Sequence, residues 1–220
     1  MVINNREKRL LLASASPRRI ELLGYLRLDF SIITPDVDES SISREIGSPG
    51  KWAESLAVSK ACWGLSHSSA ETVIGADTMV IDDKQILGKP YNPIEGEEML
   101  CQLRGRVHKV VTGVCVLERR GDYVLKTHVE TDVIMRCYSD LEVDAYIRSG
   151  EYADKAGAYG IQSKKFAPVS EIYGCYLNVV GLPICALVGL LRKVEVKLPV
   201  WERLVQWLPE VCRQCSWHMM

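Results

Sequence analysis

The sequence predicts a mixed α/β fold, a twisted sheet with flanking helices. Short apolar, β-rich runs alternate with segments of helical periodicity, and two of the runs flank a tight polar turn as in an antiparallel hairpin. The first run is followed at once by a helix-start signal. A chain of 220 residues with 47% hydrophobic and 25% charged residues has enough apolar surface for one sizeable core.

The first strand is expected over Arg9 to Ala13. Ser16 then offers an N-cap, Pro17 suits a first helical position where no N–H is needed, and Ile20, Leu23 and Leu26 recur on one face. Leu28 to Thr34 reads as a second strand. Pro35 to Gly50 mixes acids, serines, glycine and proline without a period, which predicts a long surface loop. A helix follows from Lys51 to Leu65, with Trp52, Leu56 and Trp63 at helical spacing. Val73 to Ile81 is β-rich, and Asp82-Asp83 turns it towards a short strand at Gln85 to Leu87. Ile94 to Leu103 reads as a helix stopped by Gly105. Val107 to Leu117 and Tyr123 to Met135 flank Arg120-Gly121-Asp122, the hairpin turn. Ser139 and Glu142 make a capping box for a helix ending at Gly150. Tyr173 to Val180 is expected to be a strand and Pro183 to Leu191 a closing helix. Trp201, Leu204, Val205 and Leu208 mark an amphipathic last helix.

A net charge of −1 argues against stable nucleic-acid binding, whose affinity comes mostly from neutralising phosphates. No stretch approaches the roughly 18 apolar residues needed to cross a bilayer, and a cytoplasmic protein with no membrane association is expected. The eight cysteines are scattered, so most are expected to be buried, reduced thiols. Cys212 and Cys215 form a CxxC near His218, but a structural zinc site needs four ligands and no second CxxC supplies the rest.

Four segments carry residues suited to chemistry. Ser14-Ala15-Ser16-Pro17-Arg18-Arg19 joins a strand to a helix N-terminus, where unpaired N–H groups and guanidinium groups favour a phosphate. The competing reading is a plain helix cap with solvated arginines. Asp36, Asp38 and Glu39 are acids that could ligate Mg²⁺ with help from another segment, or simply face water. Asp77, in Gly75-Ala76-Asp77-Thr78, stands inside an apolar run and should face a cleft, a cation or a metal unless it caps a turn. Lys60 and Lys89 are candidate cations for phosphate oxygens. Within Asp154-Lys155-Ala156-Gly157-Ala158-Tyr159-Gly160-Ile161-Gln162, the Gln162 amide can both donate to and accept from a base edge, against the alternative of an exposed glycine-rich turn.

These segments, with Val37-Asp38-Glu39, Ser59-Lys60-Ala61, Gly88-Lys89-Pro90, Thr112-Gly113-Val114 and Val180-Gly181-Leu182-Pro183, occur in an order that resembles the Maf family of nucleotide pyrophosphatases. The resemblance runs from about Leu11 to Leu191. It implies two lobes around a deep cleft, similar to inosine triphosphate pyrophosphatases, and a homodimer. The implied activity is hydrolysis of dTTP and UTP, or modified pyrimidine triphosphates, to the monophosphate and pyrophosphate with Mg²⁺ or Mn²⁺. Asp77 matches the family's general base. Arg18, Thr78 and Gln162 match positions tied to substrate choice, Ser14, Lys60 and Lys89 match phosphate contacts, and Glu39 with Asp77 is placed at the metal. Members that prefer 7-methyl-GTP typically carry Trp after the Ser-Pro, where this chain has Arg18. The alternative function implied by the family is a nucleotide-binding regulator of cell division or septum formation with little turnover. Ser55 departs from the usual Arg of the family's Arg-Leu-Ala. The expected division is a pyrophosphatase domain over 1–199 and a helical extension over 200–220.

Overall fold

The computed structural model describes residues 9–39, 48–121 and 123–213. The elements run β1 (Leu10–Ala13), α1 (Pro17–Gly24), β2 (Phe30–Ile33), α2 (Pro49–Ser66), β3 (Thr72–Asp82), β4 (Gln85–Leu87), α3 (Pro93–Leu103) and β5 (Val107–Glu118). They continue with β6 (Tyr123–Met135), α4 (Asp140–Ser149), β7 (Val169–Tyr173), α5 (Tyr176–Val180), α6 (Ile184–Lys193), α7 (Trp201–Trp207) and α8 (Glu210–Arg213). The strands make one mixed sheet in the order β2-β1-β3-β5-β6-β7, with β4 also paired to β3. Only the pairings of β1 with β2 and β3 are parallel.

Local sequence chemistry sets most boundaries. Ser16 accepts a hydrogen bond from the Arg19 amide and Pro17 opens α1. Ser48-Pro49 repeats that device, so α2 begins two residues before the Lys51 that periodicity marks. The Ser139–Glu142 capping box is present, and Gly150 closes α4 in the left-handed conformation. Tyr173 to Val180 differs from expectation: β7 ends at Tyr173, Gly174 turns the chain, and Tyr176–Val180 is helical. A short apolar run cannot be assigned by periodicity alone. Here the buried Asn178 settles the matter by donating to the Val110 carbonyl and Thr131 Oγ1 from above the sheet.

Side-chain alternation along β3 and β5 divides the core. Ile74, Ala76, Val114 and Val116 pack with α1, α5 and α6, while Val80 and Val110 pack with α3, α4 and Tyr159. The opposite face, with Val73, Met79, Val111 and Cys115, is covered by α2. α2 lies close because Gly75 and Gly113 leave room for it. A Cβ on Gly75 would overlap the Ala57 carbonyl oxygen, and one on Gly113 would overlap the backbone of Ala53. Leu204, Leu208 and Cys212 are buried in the same cluster as α6, so the C-terminal helices pack on the body of the chain. None of the described cysteines is in a disulfide, but Cys62, Cys101 and Cys137 are exposed, contrary to the expected burial. Cys215 and His218 lie outside the described residues.

The core encloses several polar groups, His108 among them. His108 is buried, and burial drops its pKa from 6.5 to about 4 against the opposing pull of Asp82 and Asp132. The unfolded chain therefore binds a proton below pH 6.5 that the folded chain refuses until about pH 4. This contribution to stability is present above pH 6.5 and is lost progressively as pH falls towards 4. The difference in stability between wild type and His108→Gln, followed by denaturant unfolding across that window, is expected to shrink as pH falls; a constant difference would refute a neutral buried ring. Gly113→Ala is expected to cost roughly 1–3 kcal/mol by forcing α2 off the sheet. An unchanged urea midpoint would show that α2 does not rest there.

Candidate active site

The site arises where β3 loses a neighbour. β1 pairs with β3 only as far as Ala13↔Gly75, and β4 begins at Val80↔Leu87. Val80 and Ile81 are paired on their other side with β5, so β1 and β4 share one edge of β3. Between them Ala76, Asp77, Thr78 and Met79 have no strand partner on that edge among the described residues. An unpaired backbone edge needs other hydrogen-bond partners, and the first turn of α1 supplies one. Arg19 NH1 donates to the Ala76 carbonyl at 2.8 Å, Nε to the Gly181 carbonyl at 2.9 Å and NH2 to Thr78 Oγ1 at 3.0 Å. Burial lowers the Arg19 pKa, and the charges of Asp77 and Glu39 act in the opposite direction.

Asp77 and Thr78 follow one another on β3 and so face opposite sides of the sheet. Asp77, 8% exposed, points to α2 and forms a close ion pair with Lys60 Nζ. The same ammonium binds Glu39 Oε1 at 2.8 Å. The Lys60 side chain is 12% exposed, so its pair with Asp77 is largely withdrawn from water and weakly screened, while the Glu39 carboxylate faces solvent. On the other face Thr78 Oγ1 lies 2.9 Å from Thr112 Oγ1, which donates to the Asn178 carbonyl at 3.0 Å. Thr78 also bonds the Gly181 carbonyl, fixing the loop between α5 and α6 to β3.

The other predicted residues fall around this edge in different ways. Ser14 is buried, its Oγ accepting from the Ser16 amide at 3.1 Å, so it shapes the turn at the head of α1. Arg18 reaches across to Asp154, with NH1 2.7 Å from Oδ2 and NH2 3.0 Å from the carbonyl. Burial of Asp154 opposes ionisation, but hydrogen bonds from Lys155 and Arg18 outweigh it and lower its pKa. Lys89 follows β4 on the edge shared with the gap; it is exposed and makes no ion pair among the described residues. Gln162 is likewise exposed at the end of the segment that Asp154 begins. Ser55 bonds the Lys51 carbonyl within α2.

Arg19 is the residue that sequence reasoning undervalued. It was visible in the Arg18-Arg19 pair, but which arginine would turn inward depends on the pitch of α1 relative to β3. The acids of the gap also fit a divalent ion in outline: Glu39 and Asp77 bring carboxylate oxygens to one cation, the donor type Mg²⁺ prefers. No group of three or more His, Cys, Asp or Glu side chains that could hold a metal occurs among the described residues. A metal here would need oxygen ligands from a bound phosphate.

The sequence matches known proteins over the part that builds this edge. Residues 9–194 match the family of Maf-like proteins. The chain is 42% identical over 192 residues to a dTTP/UTP pyrophosphatase of Dictyoglomus thermophilum, covering 87% of this chain and 99% of that one. It is 45% identical over 187 residues to a protein of the same name from Alkaliphilus metalliredigens, covering 84% and 96%. Another, from Dictyoglomus turgidum, is 43% identical over 191 residues, covering 87% and 98%. With the ordered segments of β1–α1, β3 and β5 all inside the matched span, the chain belongs to the Maf family.

Proposed function

We propose that the chain is a nucleoside triphosphate pyrophosphatase that hydrolyses dTTP and UTP to the monophosphate and pyrophosphate. The observation that carries this is the gathering of Asp77, Lys60 and Glu39 on one side of an open sheet edge that Arg19 holds from the other. The names of the relatives supply the substrate class. The triphosphate would lie along the edge, in a cleft between the part built on β1, α1 and α2 and the part built on α3, α4 and β4.

In this mechanism water attacks the α-phosphorus, forming a new P–O bond as the α–β bridging P–O bond breaks and pyrophosphate departs. Asp77 accepts the water's proton. Lys60 and Lys89 hold phosphate oxygens, and Arg18 contacts the substrate by exchanging its bond to Asp154. Ser14 and the amides at the head of α1 shape the phosphate-binding turn. Gln162 reads the base edge, and Thr78 sets the pocket on its side of β3. Glu39 and Asp77 would hold Mg²⁺ or Mn²⁺, which when bound supplies charge neutralisation at the phosphates.

The same reading divides the chain into a pyrophosphatase domain over 1–199 and a helical extension over 200–220, beyond the end of the family match at residue 194. It also includes a homodimer in the cytoplasm without stable nucleic-acid binding, in keeping with the net charge of −1. No helix among the described residues is long and apolar enough to cross a membrane.

Asp77→Asn is expected to lower kcat for dTTP by about 10² or more, the usual scale for a lost general base. The measurement is pyrophosphate release under saturating substrate, and wild-type turnover in the variant would sink the assignment. Removal of divalent ions with EDTA is expected to abolish release, and added Mg²⁺ or Mn²⁺ to restore it. Tight dTTP binding with no release under any metal would instead favour a regulator of cell division.

A further inference from the structure

The segment from Asp154 to Gln162 borders the site, yet it is held by a residue outside every motif considered above. It opens with Asp154, the partner of Arg18. It then turns through Gly157 and Ala158, both at positive φ, 69° and 59°. A left-handed alanine is disfavoured and persists only where its surroundings over-determine it. Gly157 is fixed by its amide bond to the Gly88 carbonyl at 3.0 Å, next to Lys89, and it sits so close to Val80 that a Cβ would lie 3.0 Å from that side chain. The Gly160 amide donates to the Tyr146 hydroxyl at 3.1 Å.

Between these two anchors lies Tyr159, 5% exposed, whose hydroxyl is 2.8 Å from His108 Nε2. The two rings meet edge to face, their centroids 5.3 Å apart. His108 is 3% exposed, and its other ring nitrogen, Nδ1, has no hydrogen-bond partner among the described residues. An imidazole buried at the start of β5 for a single hydrogen bond is a poor way to fill a core that leucine would fill better. The bond it makes is therefore what the position provides. His108 also stands on the face of the sheet that holds Val80 and Val110, so Tyr159 ties the segment to the strands that frame the gap.

We propose that His108 is a positioning residue: through Tyr159 it holds the Asp154–Gln162 segment in register with Arg18 and Lys89, and so sets the affinity for the nucleotide without taking part in the chemical step. This rests on the reading of the open β3 edge as a nucleoside triphosphate site.

The test compares Tyr159→Phe, which deletes one hydroxyl, with His108→Leu and His108→Gln, the last keeping a donor near the Nε2 position. Three quantities are measured on the full chain: kcat and KM for dTTP with Mg²⁺, equilibrium binding of dTMP, and amide hydrogen exchange over 154–162. Tyr159→Phe and His108→Leu should raise KM and the dTMP dissociation constant by about tenfold, the equivalent of one buried hydrogen bond, with kcat within about threefold. Exchange should quicken over 154–162 and stay unchanged in α2, and His108→Gln should recover most of the loss. Unchanged KM and exchange in Tyr159→Phe would overturn the proposal, as would an equal fall in kcat, or a His108→Gln variant as impaired as His108→Leu. If wild type binds dTMP but releases no pyrophosphate from dTTP, the proposed reaction fails while the binding and exchange measurements still decide the role of His108.

Discussion

The organisation of the site depends on an interrupted strand edge. β3 is central and covered on both faces, yet between Gly75 and Val80 it has, among the described residues, a strand on one side only. Backbone polar groups at the middle of a sheet cannot be left without partners. The guanidinium of Arg19 takes the Ala76 carbonyl, and the same side chain bonds Gly181 and Thr78. One residue thereby joins the first helix, the central strand and the loop after α5. Every other feature of the site is arranged around the opening that this tie leaves.

The charge arrangement follows from how close α2 lies. Ala53, Ala57 and Ala61 line its inner face and meet Gly75 and Gly113 on the sheet. With no side chains between them, backbone rests near backbone, and Lys60 reaches Asp77 from the helix while Glu39 comes in from the preceding loop. The buried acid, Asp77, has Lys60 as its counter-ion, the condition under which a buried carboxylate is tolerable. A second buried acid, Glu54 near the start of α2, has the half-buried His128 as its partner at 2.7 Å. Burial disfavours the Glu54 carboxylate, but hydrogen bonds from His128 and Lys51 overcome this and lower its pKa.

Much of this was legible in the sequence because local chemistry dictated it. Ser16-Pro17, the Ser139–Glu142 capping box, Gly150 and the hairpin of β5 and β6 all lie where short-range rules put them. Asp77 was conspicuous because an acid inside an apolar strand demands a partner. What was not legible depended on geometry between distant segments. Tyr176–Val180 is apolar enough to be a strand, and only the bonds of Asn178 to Val110 and Thr131 reveal a helix lying on the sheet. Arg18 and Arg19 are alike as letters; the turn of α1 sends one to Asp154 and the other beneath the strand edge. The hydrogen bond between Tyr159 and His108 joins positions 51 residues apart, beyond the reach of any spacing rule.

Asp77 and Thr78 are covalent neighbours housed in separate compartments, with the peptide layer of β3 as the wall between them. An acid–ammonium pair occupies one room, and a hydroxyl–guanidinium set occupies the other. Thr78 therefore answers to Arg19 and Thr112, and Asp77 to Lys60, although one strand carries both. A strand partitioned in this way offers two unlike chemistries at one opening, each with a lining of its own.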